Sequence, residues 1–152
     1  MALPIRTEII TNLAGVIATE IPEIHTVRLF ANPPTDIVGV ELPALYLLEI
    51  QAEDRQYSNR VAVGTMHFMA QIFVSTTIRD SRETGFVDTF ALFDTLAAQL
   101  HRVFHTSVGL SKNGLVNIRE IQYDRLITTD SVGVLTATFD VEYRHDRGNA
   151  FS

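Results

Sequence analysis

Cysteine is missing from all 152 residues. That absence excludes disulfides, thiolate metal sites and cysteine nucleophiles together, and it fits a reducing interior. Long hydrophobic runs are also missing. The longest, LPALYLL at residues 42–48, is interrupted by Pro43 and falls far short of the ~20 residues that cross a bilayer. Near the N-terminus Arg6 is followed by Glu8, Thr11 and Asn12, so no clean signal-peptide core forms and no export is expected. Basic charge is scarce, with 12 Lys and Arg against 18 Asp and Glu and a net charge of −6. A general nucleic-acid binder needs a basic stripe for phosphates, which this balance argues against. There is no G-x-S-x-G elbow, no Walker loop and no G-x-G-x-x-G run, so serine hydrolase, nucleotide-hydrolysing and dinucleotide readings have no foothold.

What is present is a hydrophobic fraction of 46% and a mean hydropathy of +0.14, enough for a substantial core in one domain over residues 1–152. The chain is organised around a helix predicted over residues 81–105. Phe86, Phe90, Phe93, Ala97, Leu100 and Phe104 recur there at steps of four and three, one face of an α-helix. Glu83 and Asp88 near its start and His101, Arg102 and His105 near its end suit the helix dipole. At 1.5 Å per residue, about 22 helical residues span roughly 33 Å, enough to cross a sheet of several strands.

A second helix is predicted over residues 4–21, with Ile5, Ile9, Leu13, Val16 or Ile17, and Ile21 on one stripe and Pro22 ending it. With one Arg, two Glu and no Lys it lacks the basic face of a membrane-surface helix. Strands are predicted over 25–30, 42–50, 61–77, 115–127 and 133–144. The 42–50 strand is apolar on both faces, as in a strand covered on both sides. Residues 51–60 (QAEDRQYSNR) read as an exposed loop, Gly64 as a bend or bulge in a long strand, and Arg119-Glu120 as a one-residue bulge. The tail from about residue 145 reads as loose. The order helix, three strands, helix, two strands predicts an α+β fold, a mostly antiparallel sheet of about five strands packed with two helices.

Candidate chemistry is sparse. His101 and His105 stand four apart and share a helix face, the geometry of two metal ligands. Arg102 stands where a zinc protease carries Glu, and no third ligand is evident from sequence. Solvated partners of the helix dipole are the plainer reading. His25, His67 and His145 are scattered over strand positions, and Asp140, Glu142 and Asp146 form a period-two acidic row. A hard cation takes such oxygens, but alternation is also what any solvated strand face shows. No catalytic residue, cofactor or resident metal is expected. The mixed-sign clusters Glu53-Asp54-Arg55 and Arg79-Asp80-Ser81-Arg82-Glu83 add little stability as solvated pairs. At a subunit boundary they would set register.

Taken in order, the opening IRTEIITNLAGVIATEIPEI, the strand ELPALYLLEI, the long strand ending IFVSTTIRD, the Phe-rich helix and the closing TATFDVEYRHDR resemble the tail terminator and tail-completion proteins of long-tailed bacteriophages. The resemblance runs over nearly the whole chain and lies in the order and texture of these segments. It implies an α+β subunit of a phage or prophage that forms a ring, commonly a hexamer. The ring caps the tail tube, stops its polymerisation and presents a surface for head-tail joining. The implied partners are copies of itself, the tail tube protein and a neck or head-completion protein. DNA only passes through the lumen, where an acidic balance avoids gripping it, and no membrane is involved. The implied location is the virion tail, and the host cytoplasm during assembly.

Loop position and charge select Arg55, Tyr57, Arg60, Arg79, Asp80, Arg82, Arg144, Asp146 and Arg147 as candidate subunit, tail or neck contacts. The alternatives are a neck or head-completion protein, or another ring-forming minor tail component. From a different class come a small metal-binding domain or enzyme using His101 and His105, and a small-ligand binder, which needs a pocket.

Overall fold

Two apolar surfaces of different period have to meet in this chain: helix stripes with steps of three and four, and strand faces with a step of two. A computed structural model describes residues 5–30, 42–56, 60–75, 82–106, 115–127 and 132–146. The elements are α1 (Ile5–Glu20), β1 (Thr26–Phe30), β2 (Ala44–Gln56), β3 (Val61–Ser75), α2 (Arg82–Thr106), β4 (Leu115–Ile127) and β5 (Val132–Asp146). The strands form one sheet in the order β1-β2-β3-β5-β4, in which only the β1–β2 pairing is parallel. The α+β class is therefore as the sequence predicts. α2 carries the chain from β3 to the far edge of the sheet, and β5 returns between them, antiparallel to both.

Both helices pack on the same face. Met66, Phe68, Ala70, Ile72 and Val74 of β3 are each fully buried, and the strand alternates buried and half-buried along nearly its whole length. Four of them face Val141, Phe139, Ala137 and Leu135 across β5, so the two strands present one continuous apolar floor. Ile5, Ile9, Leu13 and Ile17 of α1, and Ile21 just beyond it, pack there with Phe93, Leu96, Leu100, Val103 and Phe104 of α2. Burial of one such Phe or Leu side chain contributes about 1.5–3 kcal/mol. α1 ends where Pro22 has no N–H to continue the ladder, after a last bond from Ile21 N to Ile17 O at 3.0 Å. β2 is apolar on both sides, as expected: Leu45 and Leu47 join the main core, while Ala44, Tyr46 and Leu48 form a second cluster with Leu42 and Phe73. Among the described residues no helix is long and apolar enough to cross a membrane.

Several expectations need correction. The buried stripe of α2 is rotated from the Phe-rich spacing: Leu96 and Val103 are inside, and Phe90 is 40% exposed. Phe90 instead lies beneath the Arg125 guanidinium, 5.3 Å from its ring centre. Residues 51–56 are not a projecting loop. They continue β2, paired from Gln51 opposite His67 to Gln56 opposite Ala62. Backbone pairing holds them, and a polar side-chain pattern does not report backbone pairing.

Gly64 carries no bulge, since β3 keeps its register there on both sides; the register shift of β2 lies between Glu49 and Gln51. His145 and Asp146 belong to β5 rather than to a tail. Residues 57–59 of the predicted loop and the tail beyond residue 146 lie outside the described residues.

Candidate functional site

Among the described residues, a polar cluster joins the C-terminal part of α2 to β4. Helical spacing puts His101 and His105 one turn apart, with ring centres 4.5 Å from each other. Across from them a register shift falls between Glu120 and Gln122, making Ile121 the extra residue of the strand. Glu120 thereby stands opposite Phe139, on the face that meets α2, and Tyr123 stands opposite Ala137 on the same face. Ile121 is left 49% exposed. The sequence reading puts the bulge near Arg119-Glu120, next to its place here, but turns Ile121 inward, and on that point it is corrected. The polar residue wins the inward place because three donors meet it there.

Nδ1 of His101 and Nε2 of His105 each lie 2.6 Å from Oε1 of Glu120. As hydrogen bonds these contacts place the ring N–H of each histidine on the carboxylate, while the Tyr123 hydroxyl donates to Oε2. Glu120 is 14% exposed, His101 65% and His105 47%, so a sheltered carboxylate holds two solvent-facing imidazoles. Burial pushes the Glu120 carboxyl up, but the hydrogen bonds from Tyr123, His105 and His101 more than reverse this and hold it below the ordinary carboxylate range. Burial, with the neighbouring Glu120 carboxylate, pushes the Tyr123 phenol well above its usual value. Two turns earlier on the helix, Asp94 Oδ1 accepts a hydrogen bond from Arg125 Nη1 of β4 at 2.8 Å, a second tie between α2 and β4.

The sequence singles out His101 and His105 but gives no sign of Glu120. Only the place of the bulge decides whether Glu120 or Ile121 faces the helix.

The other predicted residues are divided. Arg55 on β2 and Arg144 on β5 are both in register with Val63, on either side of β3, and Asp146 is opposite Val61. Arg60, exposed, directly precedes β3 at that same end of the sheet. Arg82 opens α2 and is not part of this group. Tyr57, Arg79, Asp80 and Arg147 lie outside the described residues. Of the acidic row, Asp140 is engaged by His67 on the neighbouring strand, with Nδ1 and Oδ1 2.5 Å apart. A cavity of about 430 Å³ also opens between α1 and the sheet, where Glu49 sits among Ile10, Leu29, Leu47 and Phe68.

No family model matches this chain, and no curated protein matches it. Among solved structures it is similar to a chain from the virion of a native gene transfer agent particle, at 15% identity over 90% of this chain and 92% of that one, with a TM-score of 0.44. At that identity and score the likeness decides nothing about activity.

Proposed function

We propose that this chain is a structural protein of a long-tailed phage or prophage virion. In this reading it is a tail terminator whose ring, a hexamer, caps the tail tube, stops its growth and offers the head-tail joining surface. The observation that carries the assembly reading is the pair of sheet edges. β4, thirteen residues long, is one end strand and exposes Ile121 and Leu126, the latter at 61%; β1 is the other end strand and exposes Leu29 at 46%. A long edge with exposed apolar side chains is an aggregation hazard unless another chain covers it.

Two different edges on opposite sides of one subunit suit a head-to-tail contact, which closes into a ring when its rotation permits. Arg60 and Arg144, exposed at one end of the sheet where Arg55 and Asp146 also stand in register, supply a charged surface for a tail tube or neck protein. The order and texture of the sequence support the phage assignment. In this reading the chain is not an enzyme, needs no cofactor for assembly, and meets DNA only in passing through the lumen.

The test is tube capping. Tail tube protein assembled with this protein should give tubes that stop growing and carry a ring at one end in electron micrographs. Tubes of unchanged length with bare ends would overturn the proposal.

A further inference from the structure

We propose that His101, His105 and Glu120 form a three-ligand binding site for a divalent transition-metal ion of the zinc class, clamping the end of α2 to β4. This stands independently of the assembly reading, because it rests on the donor atoms alone.

The two ring nitrogens and a Glu120 oxygen all lie within 4.8 Å of one another. Metal–ligand bonds of about 2.0–2.2 Å in a tetrahedral shell hold donor atoms about 3.3 Å apart. The nitrogens now sit 2.6 Å from the oxygen, so small outward rotations of two exposed rings bring the set to that spacing. No backbone movement is needed, since the one-turn spacing on α2 and the strand position of Glu120 already converge the three donors. On binding, each ring turns a lone pair to the ion and carries its proton on the other nitrogen.

The donor set selects the ion. Two imidazoles and one carboxylate suit zinc, copper, nickel or cobalt, whereas magnesium and calcium prefer shells of oxygen. The Tyr123 hydroxyl on the second Glu120 oxygen supplies an outer partner of the kind that orients ligating carboxylates. Three protein ligands leave a fourth position open on the solvent side, where the exposed histidines stand. The rival account is that both histidines serve the helix dipole and hydrogen-bond Glu120, with no ion involved.

Cobalt(II), as the chloride, is the probe. Titrated into the full chain after chelator treatment, it should give the visible absorption bands of a low-coordinate N/O site, saturating at one ion per chain and displaced by zinc. Zinc should also raise the Tm, while magnesium at the same concentration should leave it unchanged. His101→Ala, His105→Ala and Glu120→Gln should each weaken cobalt binding at least tenfold, with circular dichroism confirming the fold. His101→Ala keeps the test decisive, because its exposed side chain is dispensable to the core. No saturable cobalt bands, unchanged affinity in all three variants, or an equal Tm rise with magnesium would each overturn the proposal.

Discussion

Tyr143 on β5 and Gly64 on β3 are register partners, and the tyrosine ring occupies the space where a side chain at 64 would stand. The Tyr143 hydroxyl accepts a hydrogen bond from Arg6 Nε of α1 at 2.7 Å, so the ring ties the first helix to the sheet. A methyl group at 64 would overlap that ring. Gly64→Ala should therefore destabilise the protein by about 1–3 kcal/mol, although alanine is ordinarily the easier residue to order. Urea unfolding measures this, and a stabilised variant would show that the ring does not need the space.

Phe139 is the hinge of the core aromatics. Its ring stacks on Phe68 at 5.5 Å between centres and meets Phe104 of α2 at 4.7 Å, and it is fully buried. Phe139→Ala removes both contacts beneath the helix and should cost about 3–5 kcal/mol of unfolding free energy, measured by urea titration. A loss below about 1 kcal/mol would mean that α2 does not rest on this strand.

Glu120 ties the site to acid stability. Burial raises its pKa, yet the hydrogen bonds from Tyr123, His105 and His101 lower it overall from the ordinary 4.5. A carboxyl depressed in the folded state stabilises the protein fully above its unfolded value and loses that contribution as pH falls through the folded value. In chelator-treated protein, Glu120→Gln should be less stable than the parent at pH 7. The gap should close as pH drops below 4.5, the ordinary value. A gap that stays constant between pH 7 and 3 would contradict these hydrogen bonds.

Leu126, at 61% exposure on the edge strand, separates folding from assembly. Leu126→Lys should change unfolding stability by no more than about 0.5 kcal/mol, as surface substitutions do, while weakening self-association. Equal association of parent and variant in sedimentation velocity would remove β4 from the interface.

The layers of this fold are legible in the sequence where side-chain period and burial coincide. The alternation of Met66 through Val74 and of Leu135 through Tyr143 marks the floor, and the Ile5, Ile9, Leu13, Ile17 stripe marks α1. What stays hidden is decided by backbone pairing. Residues 51–56 are polar yet paired, because β3 supplies hydrogen-bond partners that local pattern does not reveal. Gly64 reads as a bend because its reason for being small, the Tyr143 ring, lies 79 positions away in the chain. The candidate site is half legible for the same cause: helical spacing pairs His101 with His105, whereas one residue of bulge placement brings in Glu120.

The central claim is that this chain closes into a ring through its two sheet edges. Native mass spectrometry over a wide concentration range tests it most directly, with the parent and Leu126→Lys run side by side. Ring closure requires a single closed species of fixed copy number, a hexamer, that grows with concentration in the parent and is lost in the variant. Monomer throughout, a fixed dimer, or an open-ended ladder with no dominant species would contradict it.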